Sequence, residues 1–322
     1  AETPLSNFEI RLDDATRPRQ DPALTVAFDL ASVEGDPGSS LKILAWTTTP
    51  WTLPSNLALA VGPDIDYAIV HVTNGADELN GNHVIIGAAA MGNYQAQLGD
   101  AAEVVSTVTG SDLVGRTYAP LLPYFAERSD ASDPSPAFRV LSADFVDTTE
   151  GTGVVHMAPG FGEDDQAVCE ANDIQIGNAV PVDDQGNFTE PVTEWVGTNV
   201  FEANPLIIRH LKEAGRVVRH DTYEHNYPHC WRTDTPVIYK AISSWYVEVT
   251  AIRDRLIELN EDINWVPDHV QQGRFGQWLA GARDWSISRN RFWGSPIPVW
   301  KSDNPEYPRL DVYGSLDQIE AD

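Results

Sequence analysis

LKILAWTTTPWTLPSN, Leu41 to Asn56, opens as an apolar run and ends in four threonines within six positions, Thr47, Thr48, Thr49 and Thr52. The run from Leu41 to Thr48 is short, largely apolar and followed by proline, the pattern of a β-strand closed by a turn. Working outward, comparable β-type runs recur at Leu24 to Leu30, Tyr67 to Thr73, His83 to Ile86, Glu103 to Val108, Phe138 to Phe145 and Gly153 to His156. Many short strands at uneven spacing, broken by Gly, Pro, Asn and Asp, predict a barrel or folded-over sheet, hence a mainly β fold with some α. Helices are expected at Asp164 to Ala171, after the Gly160-Phe161-Gly162 turn, and at Pro205 to Glu213, with Pro at the start and Gly215 at the stop. A further helical pattern covers Ala251 to Leu259. With no internal repeat or low-complexity tract, the chain divides into a linking segment (1–25), a large β-rich domain (26–222) and an incomplete α/β unit (223–322).

Composition bounds the function. A length of 322 residues and an apolar content of 42% fit a folded protein of about two domains. No stretch approaches the roughly 18 uncharged apolar residues of a membrane span, and Ala1 to Ser6 has neither the basic region nor the apolar core of an export signal. A cytoplasmic protein without a membrane partner is expected. Cys169 and Cys230 lie far apart and form no Cys-x-x-Cys pair, which argues against a disulfide framework and a self-contained zinc site. The net charge of −27 argues against a general nucleic-acid binder. Basic residues are uneven, however: seven precede residue 209 and fourteen lie from Arg209 to Arg309, so any nucleic-acid contact is expected in the C-terminal half.

Two glycine pairs imitate nucleotide loops without satisfying them. "GTGVVH" ends on His156, and "GFGEDD" on Asp165, where a dinucleotide fingerprint needs Gly or Ala. No Gly-x-Ser-x-Gly elbow is present. The acidic cluster Glu163, Asp164 and Asp165, with His156 nearby in sequence, admits three readings: a metal site, simple capping of a helix start, or ligand binding. Threonine hydroxyls without an adjacent base are poor nucleophiles, but their stiff side chains donate and accept hydrogen bonds and suit the positioning of a water or a carbonyl oxygen. A histidine at a strand end and a carboxylate nine residues later could return to face them, offering a wall for a side chain and an anion for an ammonium. The plain alternative is that the threonines are ordinary strand residues.

Four stretches together carry a family resemblance: "WTTTPWTLPSN", "GTGVVHMAPGFGEDD", "NYPHCWRTDTPVIYKAISSWY" and "DWSISRNRFWGSPIP". The chain resembles the isoleucyl-tRNA synthetases of class I, of the eukaryote-like branch, over their inserted editing domain and the return into the catalytic domain. The related valyl and leucyl enzymes carry Thr-Thr-Arg-Pro where this chain has Thr47-Thr48-Thr49-Pro50. Neither the His-Ile-Gly-His nor the Lys-Met-Ser-Lys-Ser signature is present, so a fragment without amino-acid activation is expected.

The resemblance implies a second, smaller site that hydrolyses valine wrongly joined to tRNA(Ile). One missing methylene is worth only about 1–3 kcal/mol of selectivity, a limit for which these synthetases are themselves the standing example. By resemblance Thr47, Thr48 and Thr49 lie near the ester and the attacking water, and Asp165, matching the second of the family's paired aspartates, holds the substrate's α-ammonium. His156 forms the wall that admits valine and blocks isoleucine, with Thr52 and Asn56 supporting the pocket. The implied partners are the valine-bearing 3′ end of tRNA(Ile) and the remainder of the synthetase. No cofactor is implied for editing, ATP serving only the full-length enzyme, and no metal, since a zinc pair of many relatives is here Cys230-Trp231-Arg232-Thr233. Trp245 and Trp285 resemble residues around isoleucine in the synthetic site and are expected to be partly exposed, and Arg289 and Arg291 to lack their partners. A non-catalytic module that binds an amino acid or the tRNA end, and an inert structural fragment, are the competing readings.

Overall fold

The computed structural model describes residues 4–6, 9–12, 15–37, 40–126, 137–177, 179–288 and 294–322. Arg289 and Arg291 lie outside them. The chain forms two compact units, Ala1–Ala241 and Ile242–Asp322.

Among the described residues of the first unit, nine strands form one mixed sheet: β1 (Thr16–Asp29), β2 (Leu41–Thr47), β3 (Ala58–Val61), β4 (Asp66–His71), β5 (His83–Gly87), β6 (Glu103–Thr109), β7 (Arg139–Ser142), β8 (Val154–Met157) and β9 (Val217–Pro228). Their order is β6-β4-β5-β2-β8-β3-β7, with β1 pairing both β2 and β9. The path ends on β6 and β7, so the expected mainly β fold with some α is a half-barrel rather than a closed barrel. The opening stretch is its centre. Leu41, Ile43 and Ala45 pack into one apolar cluster with Phe28, Leu59 and Ile207, while Leu44 packs into another with Val70, Val84 and Ile86. A strand buried on both faces reads as a continuous apolar run, which is what Leu41 to Ala45 nearly is.

β2 also changes neighbour along its length. Leu41 to Ile43 pair in parallel with β5, and Trp46 pairs in parallel with Val155 of β8. At the changeover the Thr152 hydroxyl donates to the Leu44 carbonyl over 2.7 Å, filling the gap in the ladder with a side chain. The threonines leave β2 at the β8 end of this split.

Several expectations need correction. The boundaries at 25/26 and 222/223 fall inside β1 and β9, which pair antiparallel from Thr16↔Pro228 to Val26↔Val217, so the compact unit continues to Ala241. The helix expected from Pro205 begins at Val200 and runs to Glu213, its start fixed by the Asn199 side chain, which accepts from Phe201 N at 3.2 Å. Its stop is as expected. Gly215 has φ +63°, and the bonds Gly215 N to Lys212 O and Arg216 N to Leu211 O close the helix end. The other helix of interest runs Glu163–Ala171.

In the second unit Tyr246–Val247 pairs with Trp285–Ser286, and Val299–Lys301 with Leu310–Val312. The expected helix is a 3-10 turn over Val249–Ile252 followed by an α-helix over Arg253–Glu261. Trp245 is 39% and Trp285 65% exposed. Among the described residues no helix is long and apolar enough to cross a membrane.

Candidate active site

Proline shapes the turn after β2. Pro50 keeps Thr49 out of the helical region, at φ −123° and ψ 69°, and residues Pro50–Ser55 form a buried 3-10 turn with Thr49 as its first cap. This folds the threonines back on one another. Thr49 N donates to Thr47 Oγ1 at 3.1 Å, the two hydroxyl oxygens are 3.2 Å apart, and Thr49 Oγ1 lies 3.2 Å from Thr52 Oγ1. Thr52 Oγ1 donates to the Thr49 carbonyl at 2.8 Å. Thr47 and Thr52 are buried, Thr48 and Thr49 half-buried. Thr48 is the exception to the network: its hydroxyl makes no hydrogen bond within the described residues, which leaves it free for a bound water or carbonyl.

His156 comes in from β8, where it stands opposite Leu59 of β3. Its Nε2 is 2.8 Å from Thr52 Oγ1 and its Nδ1 is 3.0 Å from Asn56 Nδ2. Burial pushes the imidazole down to about 4, so it is neutral at physiological pH. With both nitrogens engaged by protein, His156 presents its ring rather than a free lone pair, which suits a wall and not a general base. Asn56 donates also to the Ala58 carbonyl at 2.8 Å and accepts from the Tyr118 hydroxyl at 2.7 Å. Tyr118 was not legible as a site residue. It lies 62 positions from Asn56 in an unremarked "GRTYAP", and only the fold brings it in.

Asp165 sits in the first turn of the Glu163–Ala171 helix, yet it does not cap that helix. Its Oδ2 accepts from Ala158 N at 2.8 Å, two residues beyond His156, which brings the carboxylate to the end of β8. Gly162 permits this approach, since a Cβ there would stand 3.0 Å from Asp165 Cγ. Burial raises the Asp165 pKa above the ordinary carboxylate value, the Ala158 N–H lowers it and the Asp164 charge raises it again. A buried carboxylate with one oxygen engaged is a natural seat for a cation, whose charge would offset the desolvation.

Thr47, Thr49, Thr52, His156 and Asn56 are thus joined in one network, and Asp165 is tied to the same strand end without joining it. A separate groove of about 540 Å³ borders β2 at Trp46, with Tyr94, Glu150, Arg219, Asp221 and Tyr223 in its lining. Cys169 and Cys230 are free and buried. Among the described residues no three His, Cys, Asp or Glu side chains converge as metal ligands.

The sequence matches the family "tRNA synthetases class I (I, L, M and V)" over residues 1–318, and the chain belongs to that family. Within it the similarity is to isoleucine–tRNA ligases. That of Corynebacterium diphtheriae is 53% identical over 326 residues, covering 99% of this chain and 30% of that protein. That of Rickettsia prowazekii is 52% identical over 336 residues, covering 100% of this chain and 30% of that protein. The chain therefore spans about 30% of the length of these relatives. Among solved structures, the chain is similar to the editing domain of the P. knowlesi cytosolic leucyl-tRNA synthetase at 13% identity and a TM-score of 0.43, covering 64% of this chain and 97% of that one.

Proposed function

We propose that this region is the editing part of an isoleucyl-tRNA synthetase and hydrolyses the ester of valine wrongly attached to tRNA(Ile). The observation that carries the reading is the hydroxyl network ending on a neutral histidine, Thr47–Thr49–Thr52–His156, at the end of β8 where Asp165 also arrives. In this reading Asp165 holds the valine ammonium, Thr48 and Thr49 orient the ester and a water, and Thr52 with His156 bounds the side chain. Water adds to the ester carbonyl, the bond from carbonyl carbon to ribose oxygen breaks, and the proton from water passes to that oxygen, releasing valine and tRNA. A protein base is not required of His156, whose nitrogens are both engaged, so a neighbouring ribose hydroxyl is assigned the assisting role. Rate enhancement then rests on proximity and on oriented hydrogen bonds rather than on a metal or cofactor. Valyl-adenylate is a second candidate substrate of the same pocket. The partners are the valine-bearing 3′ end of tRNA(Ile) and the rest of the synthetase, which alone would use ATP, and the setting is the cytoplasm.

The test is to mix the chain with Val-tRNA(Ile) and Ile-tRNA(Ile) and follow the loss of each ester. Selective loss of valine is expected, and His156→Ala is expected to cut the isoleucine ester as well. A folded chain that binds the charged tRNA but spares both esters would support a binding module instead.

A further inference from the structure

His71 and His83 have no part in the chemistry just described. They stand directly opposite each other, His71 at the end of β4 and His83 at the start of β5, in the antiparallel register that runs from Tyr67↔Gly87 to His71↔His83. His83 N donates to Ser40 O at 3.0 Å, away from β4, so the two residues form the kind of pair that exchanges no backbone bonds. Such pairs bring their side chains closest together, with Cα atoms about 4.5 Å apart. The two imidazole rings are 4.8 Å apart between centroids and 33° from parallel. Both residues are half-buried, so the pair is anchored in the sheet and still reaches solvent.

Two imidazoles placed directly across a ladder repel if both are protonated, whereas one cation shared between them satisfies both. With an ordinary pKa of about 6.5 an imidazole is largely neutral at pH 7.5, and it then offers a lone pair to a metal ion without a proton to displace. One nitrogen from each ring is enough, and the other is left for a hydrogen bond that fixes the ring. Imidazole suits Zn2+, Cu2+ and Ni2+, whereas Mg2+ and Ca2+ seek oxygen ligands. Among the described residues no third ligating side chain converges, so water completes the tetrahedron that Zn2+ prefers. Glu103 of β6, which pairs with His71 from the other side, adds an exposed negative charge to the same row. His225 and His229 on β9 make no such pair, because the Tyr227 ring stands between them, 5.6 Å from one and 6.1 Å from the other.

We propose that His71 and His83 form a two-histidine site for a divalent ion of the Zn2+ class, which clamps β4 to β5 at the foot of their connecting loop, residues 72–82. His83 pairs with Leu41 at the start of β2, whereas Thr47 ends that strand. At about 3.3 Å per strand residue the clamp lies roughly 20 Å from the hydroxyl network. The site is therefore separate from the candidate active site and does not depend on the editing reading above. Because the folded chain holds the two rings together and the unfolded chain does not, a bound ion favours the fold.

The experiment is a calorimetric titration of the chelator-stripped chain with Zn2+ at pH 7.5, alongside NMR of histidine-labelled chain. One saturable Zn2+ per chain is expected, with none for Mg2+, and saturating Zn2+ is expected to raise the urea midpoint. His71→Gln and His83→Gln are each expected to lose that binding and that rise, while His225→Gln keeps both. Saturable binding that survives in either folded variant would overturn the site, and so would its absence from the unsubstituted chain. Should the variants not fold, the unsubstituted chain still decides. The two histidines joined by a ring-to-ring nuclear Overhauser effect are expected to shift together with the first equivalent of Zn2+, and a response from one of them or neither would overturn the chelate. Zn2+ bound by both rings without a rise in the urea midpoint would overturn the clamp.

Discussion

His156 is the residue whose environment has the clearest thermodynamic signature. In the unfolded chain an imidazole titrates near 6.5, and in the fold burial holds this one at about 4. Above pH 6.5 both states are neutral and the group contributes nothing to pH dependence. As pH falls from 6.5 towards 4 the unfolded chain takes up a proton that the folded one refuses, so stability is lost across that window, by about 3 kcal/mol when complete. Urea midpoints at pH 7 and pH 4.5 should therefore fall less in His156→Gln than in the unsubstituted chain, and equal falls would show that the ring is not held neutral. Asp165 is tested differently. Asp165→Asn keeps an oxygen for the Ala158 N–H but removes the charge, so the fold should persist while hydrolysis of the valine ester drops roughly 10- to 100-fold, the span of a lost charged hydrogen bond. Hydrolysis within a factor of two of normal would remove Asp165 from the role of ammonium anchor. Threonine, histidine and aspartate stand out in the sequence because their side chains carry hydrogen-bonding and charged groups openly. Tyr118 does not, since its only distinction is a contact 62 positions away.

At the scale of elements, the geometry of the candidate site depends on the Pro50–Ser55 turn keeping Thr52 within hydrogen-bond distance of His156. Besides the bond between Thr52 and His156, the turn is pinned from outside where Trp51 N donates to Asn204 Oδ1 at 3.0 Å, reaching from β2's exit to the Val200–Glu213 helix. Trp51 also packs edge-on to Phe161, 4.9 Å between centroids, in the glycine turn before Asp165. Asn204→Ala leaves the Trp51 N–H without this acceptor in a buried setting and is expected to cost about 1–3 kcal/mol, read as a lowered urea midpoint with an unchanged slope. An unchanged midpoint would mean that the turn is held without this bond, by proline, aromatic packing and the bond between Thr52 and His156. The same helix shows where sequence patterns mislead. Pro205 suggested a start because proline favours first turns, but the side-chain cap at Asn199 lies six residues upstream. β9 is hidden in the sequence because its central residues, from Arg219 to Asn226, are polar and largely exposed, the composition of a loop. The same holds for the first half of β1, where Pro18 and Pro22 stand within a strand that pairs with β9 along its length. β3 is four buried apolar residues, with no alternation to mark a strand.

At the scale of the molecule, the candidate site belongs to one compact unit. Thr47, Thr48, Thr49, Thr52, Asn56, Tyr118, His156 and Asp165 all fall within Ala1–Ala241, as do all three apolar clusters that hold the sheet together. The expected cut at residue 222 would have severed β9 in the middle of its pairing with β1 and stripped the ladder of Tyr223 to Pro228. A chain ending at Ala241 keeps that ladder, together with the backbone bonds Cys230 N to Thr235 O and Ala241 N to Gly160 O, which close the tail onto the glycine turn ahead of Asp165. Residues 1–241 are therefore expected to unfold in one cooperative transition and to hydrolyse Val-tRNA(Ile) at a rate within a few-fold of the longer chain, whereas residues 1–222 should unfold at markedly lower urea. If 1–241 is folded by its denaturation curve but inactive while 1–322 is active, then Ile242 to Asp322 takes part in presenting the tRNA end, and its Arg-bearing surface becomes the place to look for that contact. If 1–241 does not fold, the compactness of the first unit is not independent, and the stability of the site must draw on the second.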